Sequence, residues 1–229
     1  MLKFRLWGIR IGLFATIAAT FALLGVVGWT VARQWRPSDR FPFQGLDVSA
    51  RDGEIDWWAV KRGGADFAYV RATSGDQRDP RFEANWRAVA ETGMRRGATH
   101  RYSLCRLAAD QANAFNTTVP RTDEALPAAL ELDFDDGCTA RPGPGIVRDE
   151  LRRYITMVEG HTGKPLLLKV SKRFDAAYGV TLAIARPVWA MQNFFPPDYP
   201  ARRWRMWQAS DMRRIDGVDG PVHWDVVAP

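Results

Sequence analysis

The sequence predicts an α/β fold, a parallel sheet or a barrel, preceded by one N-terminal helix long enough to cross a membrane. Three observations carry that expectation. Ile11 to Ala32 contains no charged residue. From residue 44 onward, short apolar strands alternate with amphipathic helices, the pattern of repeated βα units. Near the middle of that alternation, one strand carries acids on a single face, as a site at the C-terminal ends of such strands requires.

The N-terminus comes first. The uncharged run 11–32 is long enough to span a bilayer core as a helix. Lys3, Arg5 and Arg10 precede it, and Trp29 and Trp35 lie at its far end, where indoles favour the interface. A cleavable signal peptide has a shorter apolar core, and the small-x-small site here (Thr30-Val31-Ala32) is weak, so an uncleaved anchor is expected. Arg33, Arg36 and Arg40 follow the span, which nearly balances the positive-inside bias. The expected organisation is a tail at 1–10, a transmembrane anchor at 11–32, a linker at 33–43 with Pro37 and Pro42, and one domain at 44–229.

The chain of 229 residues has 32 basic and 26 acidic residues, a net charge of +6. The arginine pairs are scattered and fit a solvated face, an anionic polymer or a membrane surface. No nucleic-acid motif is present, and nucleic acid is not an expected partner. Cys105 and Cys138 are the two cysteines. In an exported domain they could pair; the alternative is two buried thiols.

Within the domain, Gly45–Ser49 reads as the first strand. A helix begins at Trp57, capped by Asp56. Phe67–Ala72 is a strand. Residues 81–92 form an amphipathic helix, with Phe82, Trp86, Val89 and Ala90 on one face and Gly93 at its end. Arg96–Tyr102 is a strand and 110–119 a helix. Strand Ala128–Phe134 follows, then a long helix from Ile146 to His161, ended by Gly160 or Gly163. Strand 165–170, a short helix at 174–178 and strands at 188–192, 204–209 and 222–226 complete the chain.

The acidic strand has period two. Leu130, Leu132 and Phe134 point one way; Glu131, Asp133 and Asp135 point the other. Like charges about 6–7 Å apart along one face raise the pKa of at least one member. A proton donor and an anion can then coexist, the arrangement glycoside hydrolysis uses. A wet edge strand and a divalent-cation site at Glu131, Asp133 and Asp135 are the alternatives; no His or Cys spacing supports the metal, and none is expected.

From about Gly45 to the C-terminus, ordered blocks resemble family 25 glycoside hydrolases, the Chalaropsis-type lysozymes. They are Gly45-Leu46-Asp47-Val48-Ser49 with Ile55-Asp56-Trp57; Phe67-Ala68-Tyr69-Val70-Arg71-Ala72-Thr73; Asp79-Pro80-Arg81-Phe82 with Asn85-Trp86; Gly97-Ala98-Thr99-His100; Leu126-Pro127 with Leu130-Glu131-Leu132-Asp133; Trp207-Gln208; and Gly220-Pro221-Val222. The resemblance implies an irregular TIM-like β/α barrel. It also implies hydrolysis of the β-1,4 bond between N-acetylmuramic acid and N-acetylglucosamine in peptidoglycan, with no cofactor. Asp47 falls at a site aspartate of the family, Glu131 at its Asp, and Asp133 at its Glu, the general acid. Cys105 and Cys138 resemble a cysteine pair in one bacterial branch, which implies a disulfide and an oxidising compartment. On an enzyme reading His100 and Trp207 would line the sugar groove; the alternatives are a satisfied core histidine for His100 and core packing for Trp207. Together with the expected anchor at 11–32, the resemblance gives an expected location in the inner membrane, single-pass, with the barrel on the periplasmic side and peptidoglycan as its partner.

The departures from the family pattern fall in the acidic core. The family's Asp-x-Glu is inverted to Glu131-x-Asp133, and the shorter Asp133 would stand over an ångström further from a glycosidic oxygen. Such a shift can cost about 10²-fold in rate. His223 replaces a site aspartate in the last block, and Asp225 stands two residues later on the same strand face. Ser74 replaces a glutamate. Lys169 falls near a family tyrosine, where it would pair with Glu131 or Asp133 and lower its pKa. Two readings follow: a membrane-anchored muramidase using Asp133, Glu131, Asp47 and Asp225, or a pseudoenzyme that keeps the fold as a peptidoglycan-binding module.

Overall fold

A computed structural model describes residues 2–135 and 137–229; Met1 and Asp136 lie outside the described residues, as do the side chains at positions 2–13 and 15. The expected tail at 1–10 and the start of the expected span therefore fall largely outside the described side chains. The chain divides into two compact units, Met1–Trp35 and Arg36–Pro229.

The first unit is helix α1, Leu2–Gln34. Its stretch Thr16–Gln34 is long and apolar enough to cross a membrane. Phe14, Phe21, Leu23, Leu24 and Trp29 on this helix are exposed. Arg33 stacks on Trp29 at the end of the helix.

The second unit is an eight-stranded closed barrel. Its strands are β1 (Gln44–Val48), β2 (Phe67–Ser74), β4 (Arg95–Arg101), β5 (Ala129–Leu132), β6 (Leu167–Ser171), β7 (Val188–Met191), β8 (Trp204–Arg213) and β9 (Val222–Val227). A two-residue strand β3 (Gln77–Arg78) folds back on β2. All eight strands expected from the sequence are present, and β1 pairs with both β2 and β9 to close the ring. The β1–β2 pairing and those from β2 through β8 are parallel. Strand β9 is antiparallel to both of its neighbours. The reason is the connection: residues 214–221 are too few for a helical crossover, so β8 and β9 pair as a hairpin. That hairpin also carries β8 on to Arg213, past its expected end.

Helices α2 (Trp57–Arg62), α3 (Phe82–Glu91), α4 (Ala108–Thr118), α5 (Pro144–Thr162), α6 (Lys172–Tyr178) and α7 (Val180–Ala183) complete the unit. Asp56 caps α2 by accepting from the Ala59 amide at 3.0 Å. Of the two expected glycines, Gly163 ends α5, in the left-handed conformation that glycine adopts without strain. The buried apolar faces of the helices meet the outward residues of the strands, among them Leu46, Val70, Leu130, Leu132, Leu168 and Trp224.

The alternate strand positions face the barrel axis. At the N-terminal end of the strands they form a second apolar cluster of Phe67, Tyr69, Ala129, Leu167, Trp189 and Met206. Two glycines make room for it. A Cβ on Gly97 would overlap the Tyr69 ring, and one on Gly45 would overlap Phe67. This plug makes the barrel a packed core rather than a pore, and polar chemistry is confined to the C-terminal half of the axis. Residues 36–43 pack on the outside of the barrel. Pro37 is buried, Phe41 lies against Trp204 and Trp207, and Gln44 donates to the Phe41 carbonyl.

Candidate active site

Directly above the apolar plug, the inward positions become ionic. Asp47 on β1, Arg71 on β2, Glu131 on β5, Lys169 on β6 and Asp225 on β9 are all buried. Sheet register makes the pairs. Glu131 stands directly opposite Arg101 on β4 and Lys169 on β6, and Asp47 stands opposite His223 on β9. Opposite charges on neighbouring strands attract across that short gap.

Lys169 is the hub. Its Nζ donates to Asp47 Oδ2 at 2.6 Å, lies 3.9 Å from Glu131 Oε2, and sits 4.7 Å from the centre of the Trp189 ring. Burial works to lower its pKa, but Asp47 and Glu131 outweigh burial and raise it, so the ammonium stays charged. Burial likewise works to raise Asp47, yet Lys169 and His223 hold that carboxyl well below its usual range. Glu131 accepts from Arg71 at 2.8 Å and lies 3.8 Å from Arg101. Burial opposes its ionisation, and Arg71 and Lys169 overcome burial and hold it anionic. Asp225 is the exception. Burial first and Asp47 second push its pKa well above normal. Trp189 Nε1 donates to its Oδ1 at 3.0 Å, while Oδ2 meets no donor among the described residues. Burial and the neighbouring Asp47 charge thus favour the protonated, neutral form of Asp225.

The rim lies one residue pair further along the strands. Asp133 follows the end of β5 and is gripped by Arg173 through both carboxylate oxygens, at 2.6 and 2.7 Å. Ser171, at the end of β6, donates to it at 2.6 Å. Burial raises this carboxyl, but the Arg173 and Ser171 hydrogen bonds lower it further than burial lifts it. The Asp133 side chain is 18% exposed, against 3–4% for Asp47 and Glu131, so it is the accessible member of the three. His223 Nδ1 donates to Asp47 Oδ1 at 3.2 Å, with the imidazole about one-third exposed.

The structure brings together Asp47, Glu131, Asp133, Lys169, His223 and Asp225. It puts the two other expected groove residues elsewhere. His100 is fully buried on the outer side of β4, stacked on Tyr154 at 4.7 Å. Its Nε2 donates to Gln111 and its Nδ1 accepts from Thr73. Burial pushes its pKa down to about 3, so it is a neutral packing residue with no face for a sugar. Trp207 is also buried. It packs against Phe41 and Trp204 and donates to the Gln192 carbonyl, away from the axis that Gln208 faces. Lys169, expected to pair with Glu131 or Asp133, bonds directly to Asp47 and lies 3.9 Å from Glu131. Cys105 and Cys138 form a disulfide that ties the β4–α4 loop to the β5–α5 loop at the rim. Among the described residues, no group of three or more His, Cys, Asp or Glu side chains is arranged to hold a metal ion.

Sequence reasoning missed Arg71, Arg101, Arg173 and Ser171. Arg71 had a signal: it continues the inward series Phe67, Tyr69 in a buried strand, where a charge needs a partner. Arg173 had none, because its partner lies 40 residues earlier.

Comparisons with known proteins agree with this geometry. Residues 46–218 match the model of the glycosyl hydrolases family 25. The chain is 31% identical over 196 residues to the Escherichia coli K12 protein YegX, covering 81% of this chain and 70% of that protein. It is 28% identical over 201 residues to Lysozyme M1 of Streptomyces globisporus, covering 81% and 68%. A family 25 glycosyl hydrolase structure from Bacillus anthracis superposes with a TM-score of 0.78 at 27% identity, covering 86% of this chain and 93% of that one. An eight-stranded barrel with acids gathered at the C-terminal ends of its strands, matched along most of its length, places this chain in glycosyl hydrolase family 25 as a glycoside hydrolase of the lysozyme type.

Proposed function

We propose that the barrel hydrolyses the β-1,4 bond between N-acetylmuramic acid and N-acetylglucosamine in peptidoglycan, with Asp133 as the proton donor. One observation carries the assignment of roles: among the three ionised carboxylates of the site, only Asp133 reaches the rim, and its clamp can be displaced. The Arg173 side chain is 59% exposed, so an incoming sugar can push it aside. Without that partner, only the Ser171 hydroxyl and the Phe134 backbone still oppose burial, and the Asp133 pKa moves up towards the range a general acid needs. Glu131 and Asp47 stay ionised below it and supply negative charge beneath the developing oxocarbenium ion. His223, oriented by Asp47, lies at the mouth where it can hold an acetamido group or a water.

The N-terminal helix supports a single-pass anchor in the cytoplasmic membrane, with the barrel on the outside. The disulfide supports the same side, since such bonds persist in oxidising compartments. Added protease should digest the barrel in intact spheroplasts; protection would argue against export.

A second reading is favoured by a specific observation. Asp47, Glu131 and Asp133 each already have a cationic partner, which is the wrong sign for a resting proton donor. On that reading the barrel binds peptidoglycan without cutting it. Muropeptide release from purified sacculi by the full-length protein in detergent separates the two. Hydrolysis predicts new reducing N-acetylmuramic acid ends, lost in the Glu131→Gln/Asp133→Asn double variant. No release at high protein concentration, with sedimentation on sacculi retained, would establish the binding module.

A further inference from the structure

Beside the acid site, on the side of Glu131 that faces β2 and β4, the rim holds a cavity of about 220 Å³ whose lining is unusual in charge. Four arginines line it: Arg51 from the turn after β1, Arg71 from β2, Arg78 from β3 and Arg101 from β4. Two carboxylates share the wall, Asp79 and Asp135. Asp79 is already committed, accepting from the Ala50 and Arg81 amides at 2.9 Å each. Asp135 accepts from the Gly137 amide at 3.2 Å.

The arginines are not used up by their partners. Arg71 spends one terminal nitrogen on Glu131, and Arg101 approaches the same carboxylate no closer than 3.8 Å. The Nε atoms of both are buried and meet no acceptor among the described residues. A buried donor without an acceptor carries a desolvation cost that an added oxyanion would remove. Arg78 is half-exposed and 3.3 Å from Glu83, a surface pair of little strength. A guanidinium presents a planar fork of donors that matches a carboxylate in two-point contact, and four of them around one small cavity favour an anionic guest. The aromatic plug is at the other end of the barrel, so this cavity offers no stacking surface for a neutral sugar.

We infer that this arginine-lined cavity is a subsite for a carboxylate on the peptide branch of the muramyl sugar, so that the barrel selects peptide-bearing glycan over bare glycan. The inference rests on the proposed peptidoglycan substrate and names the part of it that the neighbouring cavity reads. The muramyl ring whose anomeric bond is cut carries its peptide on the lactyl group at C3, two ring carbons from that bond, and the peptide bears free carboxylates. A ring held over Asp133 and Asp47 would direct this branch along the rim. The cavity wall and the acid site share Glu131 through Arg71 and Arg101, so occupancy of one is felt at the other.

The test is binding, not turnover. Full-length protein in detergent is titrated with two probes: a disaccharide tetrapeptide, and the same disaccharide with the peptide removed. Inorganic phosphate serves as a third probe, to distinguish a general oxyanion site. The wild type should bind the peptide-bearing probe at least tenfold more tightly than the bare one, with a preference that weakens as salt is raised. Arg51→Gln/Arg78→Gln, both at exposed or half-exposed positions, should reduce that ratio about tenfold. Methyl esterification of the peptide carboxylates should do the same to the wild type. Equal binding of both probes by the wild type, or a preference untouched by the double variant and by esterification, overturns the inference. Phosphate competing as well as the peptide probe also overturns it, in favour of a site for any oxyanion. Hydrolysis of sacculi without peptide preference would sink this inference alone; peptide-dependent binding without hydrolysis would sink the muramidase reading alone.

Discussion

Lys169→Met is the perturbation that tests the ionic layer most directly. Methionine keeps an unbranched chain of similar length against Trp189 and removes only the charge. With an effective dielectric of about 20, the charge pairs at 2.6 and 3.9 Å are worth roughly 6 and roughly 4 kcal/mol of gross attraction. Most of that offsets the burial of a fully enclosed ammonium. The relevant quantity is the cost of leaving its partners behind, about 3–5 kcal/mol when one member of a buried pair is removed. Glu131 retains Arg71 and Arg101, so the deficit should fall mainly on Asp47, towards the lower end of that range. Urea unfolding followed by the fluorescence of the 10 tryptophans should show a loss of about 3–4 kcal/mol at pH 7. The equivalent drop in Tm is roughly 6–16 °C for a domain of this size.

The pH dependence has a definite sign. In the wild type, the depressed carboxyls of Asp47 and Glu131 contribute stability above their unfolded values, about 4, which is lost as pH falls through the folded ones. Lys169 is raised, so its contribution is present below its unfolded value of about 10.4 and is lost as pH rises through the folded one. Between about pH 5 and 9 these three groups contribute a constant amount; the pH dependence there comes from Asp225, whose raised pKa costs stability as pH rises, and from His100, whose lowered pKa costs stability as pH falls below its unfolded value. In the variant, Asp47 keeps only His223 against full burial, so its carboxyl should rise, and above the unfolded value if burial outweighs that one partly exposed partner. The folded state then binds a proton first, and the deficit at pH 7 should shrink at pH 5. A loss below about 1 kcal/mol at pH 7, within the range of an ordinary surface change, would refute this account of the layer. So would a deficit that grows on acidification.

Other perturbations test the rim. Arg173→Gln removes the two-point clamp of the free protein and should raise the Asp133 pKa there, so the alkaline limb of the kcat/KM profile should move upward by more than about half a pH unit while that of kcat stays put; an unmoved kcat/KM profile would mean that another group gives the proton. Asp133→Asn alone should lower kcat by about 10²–10⁴-fold with sacculus binding retained, read from reducing ends and co-sedimentation. Cys105→Ser/Cys138→Ser opens a loop with a sequence separation of 33 and should cost about 4 kcal/mol by loop entropy, measured as a fall in urea midpoint. A negligible fall would mean that the two loops are held by packing alone.

The sequence by itself determined the strands, the helices and the N-terminal apolar helix, because those depend on local period and composition. The acidic strand is the clearest case: Leu130 and Leu132 face the helices and Glu131 faces the axis, as period two requires. The last hairpin departed from the parallel pattern for an equally local reason, a connection too short for a crossover.

Only the tertiary structure decided what the acids are. The charge state of a carboxyl depends on what stands within a few ångströms of it, and those neighbours come from distant strands. Asp47 meets Lys169 across 122 positions and His223 across 176. Asp225 and Asp47 lie on one strand pair, yet one is driven towards its neutral form and the other held ionised, because the single ammonium of Lys169 bonds directly only to Asp47. His100 shows the converse. Its residue type and its block suggested a sugar contact, but the outer side of β4 turned it into Tyr154 and Gln111. Barrel closure, which selects the strands that become neighbours, thus assigns each titratable side chain its partner and its charge.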